Sequence, residues 1–124
     1  MKNSCSRIIL VAVAVWLGLS APARAEDVEA GGALFKKYCK RCHTLTEQTL
    51  VGPGLSGVTS RRTEDWLSAW IKDPKDMIAK GDPDALGLKK KFNIVMPTLK
   101  GVEDDEARKS IVSFLKENDK KMSQ

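Results

Sequence analysis

The chain has 124 residues, 21 of them lysine or arginine and 16 acidic, which gives a formal net charge of +5. This length leaves room for one domain and no more. The positive charge does not indicate nucleic-acid binding, because the basic residues are not interleaved with aromatic ones. With three cysteines and one histidine, the chain has few soft ligands from which to build a metal site.

The N-terminus is typical of a secretory signal peptide. Lys2 and Arg7 give it a basic start, an apolar run extends over residues 8–19, and Ala23-Arg24-Ala25 supplies a small-x-small cleavage site. An uncleaved membrane anchor is the alternative, but a bilayer span needs about 20 apolar residues and this run is shorter. We therefore expect residues 1–25 to be removed.

Cleavage would leave a single domain over residues 26–124, exported to the periplasm and not stably inserted in a membrane. The signal would take Cys5 with it, so that the mature chain keeps two cysteines. It would also take three basic residues and no acidic one, which lowers the net charge to +2. A chain of this size buries only a modest core, which a large bound group would complete.

Residues 27–42 are predicted to form an amphipathic helix, because apolar residues recur there at three- and four-residue steps. Gly31 and Gly32 lie inside it, and each costs about 1 kcal/mol relative to alanine in a helix. A second helix crossing at close range would explain both glycines. Alternatively, the helix begins only at Gly32.

The helix leads into Cys39-Lys40-Arg41-Cys42-His43, the C-x-x-C-H pattern for covalent attachment of a c-type haem. Cys39 and Cys42 can each form a thioether to a haem vinyl group, and His43, the only histidine of the chain, can ligate the iron. A structural zinc site would need a fourth ligand that the mature chain lacks. A thioredoxin-like site would need a βαβ setting. The motif therefore predicts one covalently bound haem c.

Residues 44–62 are predicted to be irregular, because Gly52-Pro53-Gly54 strongly interrupts regular structure. A histidine on a metal commonly donates its other ring N–H to a carbonyl, which fixes the tautomer. The carbonyl of Pro53 is our candidate acceptor for His43. An ordinary surface turn is the alternative for this stretch.

Two short helices are predicted next. Thr63 can cap the first, which runs to about Lys72. Asp73 precedes Pro74 and can cap the second, which ends near Gly81. Four apolar side chains of the first helix share one face, which we expect to pack in the core beside the haem. They are Trp66, Leu67, Trp70 and Ile71.

A short helical piece is possible over residues 84–91. The last helix is predicted over residues 103–118, because acidic residues crowd its first turn and lysines lie at its end, as the helix dipole favours. We expect its Ile111 and Phe114 to pack across the two glycines and Phe35 of the first helix. No stretch of the sequence predicts a strand.

A second iron ligand is expected from a methionine, since the chain has no second histidine. Met1 would leave with the signal, Met122 lies in a polar tail, and Met77 lies in a short helix where core packing is expected. Met96 precedes Pro97 in an irregular stretch, which leaves its thioether free to act as a ligand. We therefore predict Met96 as the second axial ligand.

Over residues 27–118 the chain resembles a monohaem class I c-type cytochrome, of the small, exported bacterial type. The residues that carry the resemblance are Gly31, Phe35, the Cys39–His43 motif, Pro53, Asp73-Pro74, Met96-Pro97 and Phe114. The stretch 80–95 departs from the family pattern. The resemblance implies an all-α cytochrome c fold, in which three to five short helices wrap one covalently bound haem and the N- and C-terminal helices cross.

The resemblance also implies a periplasmic one-electron carrier rather than an enzyme, with His43 and Met96 as axial ligands. Such a carrier would be a monomer that meets redox partner proteins transiently. One alternative is a haem-bearing subunit of a larger redox enzyme. Another is a haem gas-binding or sensor protein with a labile sixth ligand. Exposed lysines could steer partners, or they could be an ordinary solvated surface. They are Lys36, Lys37, Lys40, Lys89, Lys90, Lys91 and Lys100.

Overall fold

The computed structural model describes residues 23–124. Residues 1–22 of the predicted signal peptide, which include Met1 and Cys5, lie outside this part. The described part forms six α-helices and one π-helical turn. They are α1 (Ala23–Leu34), which continues into the π-helical turn (Phe35–Cys39), α2 (Val58–Arg61), α3 (Glu64–Lys72), α4 (Pro74–Ala79), α5 (Pro83–Phe92) and α6 (Asp105–Met122).

The all-α prediction is confirmed for the part of the chain that the structure describes. Residues 23–124 contain no strand, and their β pairing is limited to a single bridge between His43 and Thr49. Within the same range, every helix is too short or too polar to cross a membrane.

The ends of the first and last helices differ from the prediction. The first begins at Ala23 rather than residue 27 and passes through Gly32, so a start at that glycine is wrong. The last helix begins two residues later than predicted, at Asp105, and ends four residues later, at Met122. The later start of α6 follows from the Asp104 carboxylate, which accepts from Ala107 N at 2.7 Å and caps the helix there.

Each helix from α3 to α6 begins at a side-chain cap that the sequence supplies. The Thr63 hydroxyl accepts from Trp66 N–H, as predicted. A carboxylate caps each of the next three helices in the same way, and such a cap contributes about 1 kcal/mol. The capping residues are Asp73, Asp82 and Asp104. Two of these helices also have proline at their first position, where no N–H is needed.

The crossing of α1 and α6 is the main packing contact of the fold, and it is confirmed. A Cβ added at Gly31 would lie 2.5 Å from the Ser110 carbonyl carbon and 2.8 Å from Phe114 Cβ. The Phe35 and Phe114 rings lie beside this crossing, with their centroids 5.5 Å apart. The two helices therefore touch backbone to backbone, which only a glycine permits.

The stretch 44–62 is irregular except for the one-turn helix α2, which the sequence does not predict. Gly57 precedes it with a φ of 69°, a conformation that favours glycine. The Asp119 side chain accepts hydrogen bonds from Gly57 N and Thr59 N at 2.7 and 2.9 Å. This short turn is thus fixed by α6, about 60 residues further along the chain.

Candidate functional site

A cavity of about 570 Å³ lies next to the C-x-x-C-H motif. Most of the side chains that line it are apolar. They come from the π-helical turn, the loop after it, helices α2, α3, α5 and α6, and the stretch that follows α5. The predicted stripe on α3 lines it in full, with Trp66, Leu67, Trp70 and Ile71. A large apolar cavity with a few polar groups is the usual form of a cofactor site.

The π-helical turn brings the motif to the cavity. Lys40 N donates to Phe35 O at 3.0 Å, a bond across five residues, and both Cys42 N and His43 N donate to Cys39 O at 3.0 Å. One extra residue in this turn alters which side chains share a face, and such turns occur mostly at functional sites. Cys39, Cys42 and His43 all line the cavity as a result.

The two cysteines of the motif are free thiols. Cys39 is buried and Cys42 is half-buried. Burial raises the pKa of the Cys39 thiol to about 11, and the nearby Cys42 adds to this rise. Before haem attachment, Cys39 is therefore a protonated thiol at pH 7, held against the apolar lining.

His43 is oriented by the loop that follows it. Its Nδ1 lies 2.8 Å from the Pro53 carbonyl oxygen, the acceptor expected from the sequence. Because a carbonyl only accepts, Nδ1 donates to it, and in the neutral ring Nε2 keeps a free lone pair. Such an imidazole is arranged to ligate a metal through Nε2.

Gly52 sets the position of the same imidazole ring. A Cβ at Gly52 would lie 2.6 Å from His43 Cε1 and 3.1 Å from Nδ1, so a side chain there would displace the ring. Gly52 N also donates to Cys42 O at 2.8 Å. The sequence indicates only a turn at Gly52. Its role in placing the His43 ring is signalled by its position directly before Pro53, whose carbonyl accepts from that ring.

The stretch 80–95 forms one side of the cavity. Its helix α5 contributes a single face to the lining. The lining residues of that face are Pro83, Asp84, Gly87, Leu88, Lys91 and Phe92. The sequence predicts helix here but does not indicate that it covers a binding site.

Polar contacts attach the start of α5 to α3. Trp66 Nε1 lies 3.2 Å from both carboxylate oxygens of Asp82, and Arg62 pairs with Asp84 at 2.8 Å. The Arg62 guanidinium also lies 5.2 Å from the Trp66 ring centroid, and Trp66 stacks on Trp70 at 5.5 Å. These contacts hold one edge of the cavity closed.

Among the methionines of residues 23–124, Met96 alone lines the cavity. It is half-buried, together with Val95 before it. Met77 lies in α4, and Met122 ends α6 with 57% of its surface exposed. The structure thus brings His43, Pro53 and Met96 to the same cavity as the two cysteines.

A family model described as cytochrome c matches residues 28–119. The chain belongs to the cytochrome c family. This confirms the resemblance to a monohaem class I c-type cytochrome and the cytochrome c fold that it implies. Proteins of this family carry electrons through one covalently bound haem c, so haem c is the cofactor of this chain.

Several solved cytochrome c structures are similar to this chain. Cytochrome c from Rhodothermus marinus has 27% identity and a TM-score of 0.72, over 78% of this chain and 80% of that one. An engineered form of the same protein, bound to a carbene intermediate, has 27% identity and a TM-score of 0.67, over 77% and 80%. The cytochrome c domain of the pp3183 protein from Pseudomonas putida has 31% identity and a TM-score of 0.64, over 75% and 91%. No curated protein matches the chain.

The residues of the cavity fit a haem c. Two free thiols lie three residues apart at its surface, and an imidazole with a free Nε2 follows the second thiol. The remaining lining is mostly apolar, as a large planar apolar group requires. The cofactor that the family implies is therefore matched by the donor set that this chain presents.

Proposed function

We propose that the chain is a periplasmic one-electron carrier whose haem c is attached at Cys39 and Cys42 and ligated by His43 and Met96. The observation that carries this proposal is that an imidazole with a free Nε2 and a thioether line the same cavity. When bound, the haem supplies a one-electron couple between ferric and ferrous iron. A haem held by both His43 and Met96 would offer no iron site to a substrate, so the chain would transfer electrons without acting as an enzyme.

The residues around the ligands set how the site behaves. Pro53 fixes the tautomer of His43 and raises the basicity of its Nε2. The apolar side chains exclude water, which keeps the local dielectric low and strengthens each polar contact inside. Met96 and His43 together would favour the reduced state of the haem that they hold and would raise its potential relative to two histidines.

The partners in this proposal are redox proteins that bind transiently. Lys89 and Lys90 are exposed on the outer side of α5, and Lys91 lines the cavity. Leu86 and Ile94 lie in the same stretch with 44% and 52% of their surfaces exposed. A small apolar patch among lysines suits a brief encounter in which charge steers association more than it adds affinity. The chain itself acts as a monomer and binds no nucleic acid.

The proposed periplasmic location rests on the sequence of residues 1–25. A basic start, an apolar run and a small-x-small site are the parts of a cleaved export signal. Mass spectrometry of the exported protein should give residues 26–124 plus one haem. A mass that retains residues 1–25 would show that the segment remains as an anchor.

The ligand assignment is tested by optical spectra of the exported holoprotein, followed by potentiometric titration. The oxidised protein should show a methionine-to-iron charge-transfer band, and the reduced protein should take up carbon monoxide only very slowly at neutral pH. Met96→Ala should abolish the band, admit carbon monoxide and lower the potential, whereas the matched control Met77→Ala should change none of these.

Other outcomes would point to the other functions. Rapid carbon monoxide uptake by the native reduced protein would indicate a gas-binding or sensor protein. Purification in a fixed ratio with a larger redox protein would indicate a haem-bearing enzyme subunit. Loss of the band in Met77→Ala, with Met96→Ala unaffected, would move the second ligand to Met77.

A further inference from the structure

We infer that α6 positions both loops that carry the axial ligands, through Arg108 near its first turn and Asn118 with Asp119 near its last. This inference rests on the proposed ligation by His43 and Met96. It assigns three positioning residues, none of which lines the cavity. They act on the ligands through the backbone of the two loops.

Arg108 is the anchor for the loop that carries Met96. Its side chain is 2% exposed, and its Nη1 donates to Val102 O at 3.0 Å and also to Glu103 O. These two carbonyls lie six and seven residues after Met96. A buried guanidinium is tolerated only when its donors are used, and here its donors are used on the end of this loop.

The remaining donors of Arg108 connect the loop to the rest of the fold. Its Nε donates to Ser68 Oγ of α3 at 3.2 Å, and its Nη2 pairs with the Asp105 carboxylate. The irregular stretch from 94 to 104 is thus joined to two helices at its C-terminal end. At its other end, Asn93 terminates α5 with a φ of 52°. The direction of the Met96 thioether depends on these two fixed ends.

Asn118 and Asp119 are the anchors for the loop that carries Pro53. The Asp119 carboxylate accepts from Gly57 N at 2.7 Å and from both Thr59 N and Thr59 Oγ1, at 2.9 and 2.7 Å. Asn118 Nδ2 donates to Leu45 O at 3.2 Å. Leu45 lies two residues after His43 and Gly57 four residues after Pro53, so one turn of α6 holds both ends of this loop.

The placement of these anchors on one helix has a physical consequence. Residues 108 and 119 are eleven positions apart, or about 16 Å along a rigid α-helix. That helix is itself held against α1 at the Gly31 crossing. The spacing of the two ligand loops is therefore set by a helix rather than by the loops, which lie far apart in the sequence. A shift of either anchor should loosen one ligand and leave the other in place.

The test uses two readouts on the reduced holoprotein, one for each ligand. The rate of carbon monoxide uptake reports opening of the Met96 loop, and the solvent-exchange rate of the His43 Nδ1 proton, measured by NMR, reports the bond to Pro53. Arg108→Lys should speed carbon monoxide uptake by about tenfold or more, because hydrogen bonds to a charged group are lost. It should leave the Nδ1 proton exchange unchanged.

Asp119→Asn should give the reverse pattern, with proton exchange faster by about tenfold and carbon monoxide uptake unchanged. The matched controls are Lys109→Gln and Glu117→Gln, which remove neighbouring charges of α6 and should alter neither rate. If Arg108→Lys does not fold, Ser68→Ala removes one partner of the guanidinium and should move carbon monoxide uptake in the same direction by less.

Two results would overturn the inference. In the first, Arg108→Lys leaves carbon monoxide uptake unchanged, or Asp119→Asn leaves the exchange of the His43 Nδ1 proton unchanged. In the second, both variants change both rates together, as general destabilisation does. Failure of the ligand assignment gives a different result. In that case, wild-type protein and Met96→Ala take up carbon monoxide at the same rate. That result contradicts the part of the inference that concerns Met96. The part that concerns His43 is then tested by the proton-exchange rate alone.

Discussion

The crossing of α1 and α6 gives a sharp stability prediction at Gly31. A Cβ at this position would lie 2.5 Å from the Ser110 carbonyl carbon and 2.8 Å from Phe114 Cβ. The Ser110 atom belongs to the backbone of a helix and cannot turn aside as a side chain would. Gly31→Ala therefore forces the two helices apart along their main contact.

The size of the effect follows from two opposing terms. Alanine is about 1 kcal/mol more favourable than glycine inside a helix. Overpacking costs about 1–3 kcal/mol, and more where backbone must move. We expect Gly31→Ala to lower the free energy of unfolding by about 2 kcal/mol or more.

Gly32→Ala is the matched control, one residue along the same helix. Its Cβ would lie 3.2 Å from Cδ2 and Cε2 of the Phe114 ring, which can tilt by a small amount. The gain in helix propensity offsets much of this contact, so the free energy of unfolding should change by less than about 1 kcal/mol.

The assay is guanidinium unfolding of the holoprotein followed by far-UV circular dichroism. The two variants should share the wild-type m-value, so that their midpoints report stability. If Gly31→Ala is as stable as Gly32→Ala, the two backbones do not approach as closely as described, and this reasoning is wrong.

Three further predictions test the site and its surroundings. Gly52→Ala should push the His43 ring off its carbonyl acceptor. The reduction potential measured by potentiometric titration should then rise, because a less basic ligand favours the ferric state less. An unchanged potential would mean that the ring has room for the added methyl group. Phe114→Ala should cost about 3 kcal/mol in guanidinium unfolding, since the ring is only half-buried, and a loss near zero would contradict its place in the crossing. The pKa of Glu103 is lowered by hydrogen bonds from its own N–H and from Gly101 N–H. Glu103→Gln should therefore be slightly less stable than wild type at pH 7. The difference should vanish as the pH falls through and below the usual glutamate pKa of about 4.3. Equal unfolding midpoints at pH 7 would contradict this.

Local chemistry allowed much of the fold and part of the site to be predicted from the sequence. Thr63 and Asp73 mark helix starts because their side chains can accept from the next free N–H groups. Two adjacent glycines inside a helix predict a close crossing because their cost needs a compensating contact. The acceptor for His43 was also predictable, because a proline carbonyl in a tight turn is held in one place.

Other features could not be predicted because they depend on residues far apart in the chain. The π-helical turn fixes how the motif meets the cavity, yet a C-x-x-C-H pattern fits an α-helix equally well. Arg108 and Asp119 are charged residues on a helix, which by pattern alone belong to its solvated face. Asp119 contacts Gly57, which lies in a loop 62 residues away, and Arg108 contacts Ser68 of α3, 40 residues away. Only the folded chain shows these contacts.

The two sides of α5, within residues 80–95, have different surroundings. One side of α5 lines the cavity, while Leu86, Lys89 and Lys90 on the same helix are exposed. Substitutions on the exposed side can therefore change the charge that a partner meets without changing the lining of the haem site. The contact of Asp82 with Trp66 keeps the helix in place in either case. The exposed side of α5 can thus vary in charge while the residues that line the cavity stay the same.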